Sequence, residues 1–179
     1  MGYGASDMER RGLIKLGGLE AATIRAVEHN DFEALARFLE NNNRPEITRH
    51  FNPFPLDSKT AYRIACTEHR DQYYVAVLKD EIVGFCMLRG WDEGFQIPSF
   101  GILVGHRHIS LGLGRKMTEF AISEARASGC AHIRLTVYAS NTIAFKLYTR
   151  LGFREIARQV IDTAEEADIK IVMMKDLTS

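Results

Sequence analysis

The sequence predicts an α/β fold with a mixed, mostly antiparallel sheet of about seven strands flanked by four helices. Short apolar or alternating runs, typical of strands, interleave with segments whose apolar residues recur every three or four positions. At 179 residues, with 46% hydrophobic and 26% charged residues, the chain is long enough to bury a core. We expect residues 19–179 to form a single domain, and residues 1–18, which mix glycine with charge, to form a loosely held arm.

Composition and charge exclude several classes of protein. Lys and Arg (23) balance Asp and Glu (23), so no general attraction to nucleic acid or to an anionic membrane is expected. Cys66, Cys86 and Cys130 lie far apart without metal-ligand spacing, which predicts buried thiols in a reducing compartment. No apolar run has the length of a membrane span. We expect a cytoplasmic protein with no metal, nucleic-acid or membrane partner, and the sequence leaves a homodimer open.

The stretch from 98 to 128 organises the chain. Residues 99–104 form an apolar run between Pro and Gly, as expected of a buried strand. Apolar residues at helical spacing follow: Leu113, Met117, Phe120, Ala121 and Ala125. Gly112 and Gly114 bracket the start of this helix, where unpaired backbone N–H groups and the helix dipole suit a phosphate. A dinucleotide fingerprint would need a third glycine where Met117 stands, and the P-loop Gly-Lys-Ser/Thr is absent.

The first half of the chain supplies a strand, two helices and a hairpin. Residues 20–27 alternate as a strand does, and Asp31 and Ser58 are each placed to cap a helix. Residues 73–78 and 82–88 are rich in β-forming residues and predict an antiparallel hairpin. The next strand is expected over 95–104.

The second half supplies a strand, a helix and a final hairpin. Residues 133–137 alternate, and Asn141 can cap a helix with a stripe of Ile143, Leu147 and Leu151, with Ala144 and Tyr148 beside it, that Gly152 ends. Residues 153–160 and 168–174 predict the last two strands.

The loop from Arg49 to Leu56 contains two prolines and two phenylalanines. Exposed aromatic residues are costly unless they cover something, so the loop is either a lid on the core or one wall of a substrate pocket. Both interpretations remain open on the sequence alone.

A second diagnostic stretch runs from Val137 to Phe153. Its order is Asn141, then Ala144, then Leu147-Tyr148, then Leu151-Gly152-Phe153. With the glycine turn upstream and the order of elements, it resembles the GNAT superfamily of acyl-CoA N-acetyltransferases over roughly residues 20–175. The resemblance implies a twisted sheet whose two central strands splay apart, and acetyl-CoA as cofactor.

The resemblance also implies roles for individual residues. The turn that wraps the pyrophosphate would contain Ile109, Ser110, Leu111, Gly112, Leu113 and Gly114, with Arg115 opening the helix. Backbone groups of Ile102, Leu103 and Val104 would bind pantetheine and the acetyl carbonyl. Asn141, Ala144 and Tyr148 would lie by the cofactor, with Tyr148 as general acid near the thioester sulfur.

The sequence departs from the family pattern at the start of that turn. Ile109 and Ser110 stand where Arg or Gln, followed by Gly, is usual. The backbone cradle does not depend on the missing side chain, so cofactor binding is expected to survive, with Arg115, Arg107 or a neighbouring histidine as compensation.

Transfer of an acetyl group to an amine needs a proton acceptor, because an alkyl ammonium with a pKa near ~10 is charged at neutral pH. Asp92, Glu93, His106 and His108 flank the central strand and are the candidate bases; Glu93 is taken with Tyr148 and Asn141 as catalytic. Candidate substrate contacts combine aromatic and charged side chains: Arg49, Phe51, Phe54, Trp91 and Asp92.

Three functions follow. The first is acetylation of a small-molecule primary amine, such as an amino sugar or amino acid. The second is acetylation of a protein or peptide amine, which would need a more open groove. The third is a non-catalytic acyl-CoA sensor, which the presence of both Asn141 and Tyr148 argues against.

Overall fold

The chain forms one eight-stranded sheet with helices on both faces, as seen in a computed structural model that describes residues 12–16, 20–109, 111–162 and 167–178. The strands are β1 (Gly12–Leu16), β2 (Glu20–Ala26), β3 (Gln72–Leu78), β4 (Glu81–Arg89), β5 (Ser99–Val104), β6 (His132–Tyr138), β7 (Arg154–Asp162) and β8 (Ala167–Asp176). The helices are α1 (Phe32–Asn41), α2 (Pro45–Thr48), α3 (Ser58–Cys66), α4 (Leu113–Ala127) and α5 (Thr142–Arg150). The predicted α/β architecture is confirmed, with four longer helices and the single turn α2.

The first strand comes from the segment that was expected to be an arm. β1 pairs antiparallel with β2, from Gly12 opposite Ile24 to Leu16 opposite Glu20. Residues 12–16 are therefore part of the sheet and account for the eighth strand. The rest of the expected arm, residues 1–11 and 17–18, lies outside the described residues.

The sheet opens between its two central strands. Its order is β1-β2-β3-β4-β5-β6-β8-β7, and β5 with β6 is the parallel pair in this order. These two strands pair only through Ser99 with Arg134 and Phe100 with Leu135, and then diverge. β5 stays paired with β4 as far as Val104, so the gap lies on its β6 side. The predicted splayed pair is confirmed.

Each face of the sheet carries its own apolar cluster. On one face α1 and α3 bury residues such as Leu35 and Ile64 against Phe85 of β4. On the other face α4 buries its predicted stripe of Leu113, Met117, Ala121 and Ala125, each at most 1% exposed, while Phe120 is partly buried. Because both faces are covered, the central strands are buried on both sides.

Two predicted helix caps differ from the structure. The N-cap of α3 is Asp57, whose carboxylate accepts a hydrogen bond from Thr60 N at 2.8 Å, and Ser58 is the first helical residue. Asp31 precedes α1 but does not cap it, because its carboxylate is bound by Arg25 and by the backbone N–H of Glu28. For α3, the carboxylate of the preceding residue, Asp57, caps the helix in place of Ser58. For α1, the Arg25 cation holds the carboxylate of Asp31 away from the helix.

The apolar stripe of α5 is also displaced from the prediction. Ile143 is 80% exposed, whereas Tyr148 is 7% exposed and Ala144 packs against the core beside Leu147 and Leu151. The buried face is thus shifted toward the side that faces the gap between β5 and β6. The ends of the helix are as predicted: the Asn141 side chain accepts from Ala144 N, and Gly152 follows at φ +86°.

Among the described residues, no helix combines the length and apolar character needed to cross a bilayer.

Candidate active site

The gap between β5 and β6 is a cavity of about 210 Å³. Its walls are β5, the end of β6, the first turns of α5 and the segment around α2: Glu46, Ile47, His50, Phe51, Phe100, Gly101, Ile102, Leu103, Val104, Thr136, Val137, Asn141, Ala144 and Tyr148. Six residues that the sequence analysis assigned to the cofactor therefore share one cleft: Ile102, Leu103, Val104, Asn141, Ala144 and Tyr148. We call this cavity the central cleft.

Tyr148 is held rigidly at the base of the central cleft. Its ring packs edge-on against Phe100 at 6.3 Å and against Phe153 at 5.9 Å between ring centroids. Burial raises the pKa of the Tyr148 phenol, and the neighbouring Cys86 raises it further. The hydroxyl therefore stays protonated at neutral pH and is a proton donor rather than a base.

Asn141 has a structural role that leaves part of its side chain available. Its Oδ1 accepts a hydrogen bond from Ala144 N at 3.2 Å and so caps α5. The capping uses the carbonyl oxygen only, and the amide nitrogen of Asn141 remains a donor at the wall of the central cleft.

The start of α4 fits a phosphate group. The N-cap Gly112 has φ +79°, no side-chain cap is formed, and the first turn contains no acidic residue. Gly114 of this turn lies against the cleft wall, since a Cβ placed there would be 3.7 Å from Val104 Cγ2. Arg115 extends from the same turn and pairs with Glu119 at 2.8 Å. The uncapped N–H groups and the helix dipole favour an anion next to the central cleft.

Ile109 and Leu111, which precede α4, are exposed rather than packed against the core. Ile109 is 57% exposed and Leu111 is 44% exposed, whereas the side chain of Leu113 is buried in the core. Ser110 lies outside the described residues. Leu113 can therefore contact a ligand only through its backbone.

His106 and His108, two of the candidate bases, lie at a second cavity of about 360 Å³ with Arg37, Arg44 and Arg107. Burial lowers the pKa of His106, and the positive charges of Arg44 and Arg107 lower it further. The backbone N–H of His106 donates to Asn42 Oδ1 at 3.1 Å. Neither histidine lines the central cleft.

The loop that follows α2 contributes both to the core and to the central cleft. Phe51 lines the cleft, and its ring packs edge-on against Phe54 at 6.1 Å. Phe54 does not line the cleft; it is 9% exposed and lies between Phe85 and the guanidinium groups of Arg63 and Arg89. Phe54 therefore covers the core, whereas Phe51 also lines the cavity, and its part in a substrate pocket stays a prediction.

Arg49 is exposed and is not among the residues that line the central cleft.

The turn that carries Trp91, Asp92 and Glu93 lies at the closed end of the β5–β6 pair. Arg89 pairs with Ser99 there, five residues before the strand reaches the open end at Val104. Buried Asp71 accepts hydrogen bonds from the N–H groups of Gly90, Trp91 and Asp92. These contacts hold the turn away from the central cleft.

The side chains of this turn have partners of their own. Asp92 accepts from Arg70 N at 2.7 Å, and Glu93 pairs with Arg89 at 3.2 Å. Trp91 packs against the apolar cluster beneath α4. The structure does not bring Glu93, Trp91 or Asp92 to Tyr148.

Three residues with potential chemistry were missed by the sequence analysis. Glu46 and His50 reach the central cleft from the segment around α2, and Thr136 reaches it from β6. The proline at position 45, which begins α2, was the one sequence signal for a helical turn there. Across the described residues, no group of three His, Cys, Asp or Glu side chains could hold a metal ion.

The sheet splits at its parallel pair and has an uncapped helix start beside the split, which is the arrangement that the sequence resemblance predicts. The acetyltransferase (GNAT) family model matches residues 34–153. The chain belongs to the GNAT family of acetyltransferases, as the sequence resemblance indicated.

Curated relatives include enzymes that act on two kinds of amine. A ribosomal protein bS18-alanine N-acetyltransferase of Escherichia coli K12 is 38% identical over 76 residues, which are 41% of this chain and 51% of that protein. An L-2,4-diaminobutyric acid acetyltransferase of Halomonas elongata is 26% identical over 113 residues, which are 61% of this chain and 58% of that protein. The chain thus spans little more than half the length of these relatives.

The solved structures show the same fold. The yncA protein of Salmonella typhimurium, solved with its cofactor acetyl-CoA, has a TM-score of 0.71 at 21% identity and covers 88% of this chain and 95% of its own. This likeness supports the fold assignment.

Proposed function

We propose that the protein is an N-acetyltransferase that moves an acetyl group from acetyl-CoA to a primary amine of a small molecule, such as an amino sugar or amino acid. The observation that carries this proposal is the position of Tyr148. Its phenol lies in the central cleft, between splayed strands and near an uncapped helix start. Transfer from a thioester that carries a diphosphate would use the uncapped helix start for the diphosphate, the splayed strands for the arm of the cofactor and the phenol for the leaving group.

The residues of the cleft fit acetyl-CoA, which supplies an acetyl group activated as a thioester. The N–H groups of residues 112–115 would bind the pyrophosphate, with Ile109, Ser110 and Leu111 completing the turn. Backbone groups of Ile102, Leu103 and Val104 on the unpaired side of β5 would bind pantetheine. An N–H near Leu103 would stabilise negative charge on the acetyl oxygen during attack.

Tyr148 and Asn141 would serve the leaving group. The raised pKa of Tyr148 keeps its hydroxyl protonated at neutral pH, so a well-placed phenol would be available as the donor to the thiolate that develops beside it. The Asn141 amide nitrogen would donate to the cofactor near the same point. General acid catalysis of this kind contributes about 10²- to 10⁴-fold to the rate.

A small acceptor is favoured by the size and cover of the cleft. The central cleft has about 210 Å³, and Ile47, His50 and Phe51 form a wall over it. The diaminobutyric acid acetyltransferase among the relatives is consistent with such an acceptor. The relative that acts on alanine of a ribosomal protein supports the second candidate, acetylation of a protein or peptide amine. A non-catalytic acyl-CoA sensor would not need a phenol in the cleft.

The test is turnover of a panel of amines with acetyl-CoA. Amino sugars, diamino acids, polyamines and peptides with N-terminal alanine would be incubated with the protein, and released thiol and acetylated product would be measured. Acetylation of a small amine with catalytic turnover is expected. Acetylation of peptides alone would favour the second candidate, and binding of acetyl-CoA without any product would favour the sensor.

A further inference from the structure

The central cleft reaches from one face of the sheet to the other. Part of its wall is formed by Ile47 and Phe51, which pack in the apolar cluster beneath α1 and α3. Another part is formed by Ala144 and Tyr148, which pack in the apolar cluster beneath α4. The two clusters lie on opposite faces of the sheet, so the cleft can be approached from both.

The two approaches differ in what they can bind. The start of α4, which fits a diphosphate, lies beside Val104, because a Cβ on Gly114 would be 3.7 Å from Val104 Cγ2. Under the proposed function, the arm of acetyl-CoA would therefore enter the cleft from the face that carries α4. The acceptor amine would then reach the thioester from the other face, beneath α2.

A hydrogen bond joins two distant segments on the acceptor side of the cleft. His50 Nε2 lies 2.9 Å from Ser140 Oγ. His50 follows α2, and Ser140 directly precedes Asn141, the N-cap of α5. The ring of His50 also lies 5.9 Å from the ring of Tyr138 in β6, between centroids. These contacts join the cover of the cleft to the wall that carries α5, and we call the hydrogen bond between His50 and Ser140 the bridge.

Asp168 of β8 fixes the Ser140 end of the bridge. Its Oδ2 lies 2.5 Å from Ser140 Oγ, and its Oδ1 accepts from Ser140 N at 3.4 Å and from Ile169 N at 2.7 Å. Burial would raise the pKa of Asp168, but these hydrogen bonds outweigh it and lower the pKa, so the carboxylate is ionised at neutral pH.

The ionised carboxylate sets the direction of the bridge. A carboxylate only accepts hydrogen bonds, so the Ser140 hydroxyl donates its one proton to Asp168, and its oxygen accepts from His50 Nε2–H. Nε2 also carries a proton in the imidazolium, so the bridge does not depend on the charge of His50.

The cover itself has little secondary structure to hold it. Helix α2 has four residues, and none of them is buried. The backbone N–H groups of residues 47–51 donate to carbonyl groups of residues 44–47, within the same segment. Such a short helical turn has little stability of its own. A hydrogen bond from this segment to the opposite wall therefore changes how often the cover opens.

We propose that the bridge limits the acceptor to a small amine that fits beneath the cover, and that Ser140 and Asp168 are positioning residues that set this selectivity through His50. The inference rests on the proposed function and selects between its two classes of acceptor. A peptide would have to extend out of the cleft past the segment that the bridge closes, whereas a small amine can be enclosed. The bridge forms no bond to the reacting atoms, so it affects the binding of the acceptor rather than the chemical step.

The first experiment needs no turnover. Hydrogen–deuterium exchange of the cofactor-free protein, followed by NMR, measures how often the cover opens through the N–H of Phe51, which donates to Ile47 O. Ser140→Ala should speed this exchange about fivefold, the change expected for the loss of one neutral hydrogen bond. The N–H groups in the middle of α4 should keep their wild-type rates.

A double-variant cycle separates the bridge from every other contact of His50. His50→Ala removes all contacts of the imidazole, so adding Ser140→Ala to it should speed the exchange of the Phe51 N–H no further. A fivefold increase in that background as well, or no increase in Ser140→Ala alone, would overturn the bridge.

The second experiment compares acceptors. Ser140→Ala should raise KM for a small amine that the wild type acetylates about fivefold and leave kcat within about twofold. Asp168→Ala should do the same, because it releases the Ser140 hydroxyl. The ratio of kcat/KM for the small amine to that for a peptide with N-terminal alanine should fall about tenfold. The affinity for acetyl-CoA, measured by calorimetry, should change less than about twofold.

Matched controls separate the bridge from general damage. Ser128→Ala changes a serine after α4 that accepts from Gln72 Nε2 at 3.1 Å. Asp176→Ala changes another β8 carboxylate, which accepts from Thr178 N and Oγ1. Both should keep the wild-type KM and selectivity.

The outcomes distinguish this inference from the proposed function. If the wild type acetylates a small amine and Ser140→Ala keeps its KM and selectivity, the inference fails alone. A wild type that prefers peptides would overturn the inference even if the bridge is present. If the wild type acetylates no amine, the proposed function fails, and the exchange experiment still tests the bridge.

Discussion

The ring of Tyr148 meets the ring of Phe100 edge-on, at 6.3 Å between centroids and with the planes at 90°. Phe100 is the last residue of β5 that pairs with β6. The phenol is therefore fixed at the point where the two strands part. The contact between Tyr148 and Phe100, at the last pair of residues that joins β5 to β6, therefore sets the position of the group that we propose as the acid.

Replacing Tyr148 by Phe should lower kcat about 100-fold or more, because the ring packing is kept and only the proton donor is lost. The affinity for acetyl-CoA should change less than about threefold. Thiol release at saturating acetyl-CoA and calorimetry of cofactor binding measure the two effects. Tyr62→Phe, at a tyrosine that is 55% exposed and packs edge-on against Phe32, is the matched control. An unchanged kcat in Tyr148→Phe would remove the phenol from the mechanism.

Gly112 and Gly114 should respond to alanine with opposite signs in stability. Gly112 has φ +79°, which an L residue adopts only with strain, so Gly112→Ala should lower the free energy of unfolding by about 1 kcal/mol. Gly114 is in the first turn of α4, where an added Cβ meets Val104 Cγ2 at an ordinary 3.7 Å. Gly114→Ala should raise it by up to about 1 kcal/mol. Urea unfolding without cofactor measures both, and equal effects would contradict the left-handed N-cap.

Stability should fall in acid through the pair of Arg25 and Asp31. Burial alone would raise the pKa of Asp31, but hydrogen bonds from Arg25 and from Glu28 N lower it below its ordinary value. A lowered pKa stabilises the fold above the unfolded value of about 3.9, and this stabilisation is lost as the pH falls through the folded value. Urea unfolding between pH 7 and pH 2 should show this loss in the wild type.

The variant that tests this pair is Asp31→Asn. Its free energy of unfolding at pH 7 should be about 2 kcal/mol lower than that of the wild type, and should fall less as the pH is lowered. Arg25→Gln and the double variant complete a cycle, and their effects should be far from additive because the two side chains share two hydrogen bonds of 2.6 and 2.7 Å. Additive losses would show that the pair contributes no coupling.

Asp71 should be essential for stability although it lies outside the cleft. It is 3% exposed and accepts from three consecutive N–H groups after β4. Asp71→Ala leaves these three N–H groups and Arg89 Nε without this acceptor, so a loss of about 3 kcal/mol in the free energy of unfolding is expected in urea unfolding. Glu33→Ala, at a side chain that is 80% exposed, should change stability by less than about 0.5 kcal/mol. A small effect of Asp71→Ala would mean that water replaces the carboxylate.

Local sequence signals were sufficient for the elements and for one wall of the site. The helical spacing of Leu113, Met117 and Ala121 and the cap at Asn141 act over a few residues, so they can be read directly. The motif that ends in Leu151-Gly152-Phe153 indicated the resemblance to the GNAT superfamily. The start of α4 was predicted as an anion site from such short-range signals, whereas the role of Tyr148 was predicted from the family resemblance.

Contacts between distant segments were not predictable in the same way. Whether Glu93 reaches the cleft depends on the register of β4 with β5, which places its turn at the closed end. The hydrogen bonds that join His50 to Ser140 and Ser140 to Asp168 connect positions separated by 90 and by 28 residues, and no periodicity connects them. The shift of the α5 stripe away from Ile143 had a similar cause, because tertiary packing selected which face of the helix is buried.

The short α2 segment lies on a different part of the chain from the turn at the start of α4. Glu46, Ile47, His50 and Phe51 form the cover of the cleft, while the proposed grip on the donor uses the main chain of another region. Under the proposed function, substitutions or insertions between α1 and α3 would change which amine is admitted without altering how the thioester is held. The choice of acceptor and the binding of the donor would then evolve independently of each other.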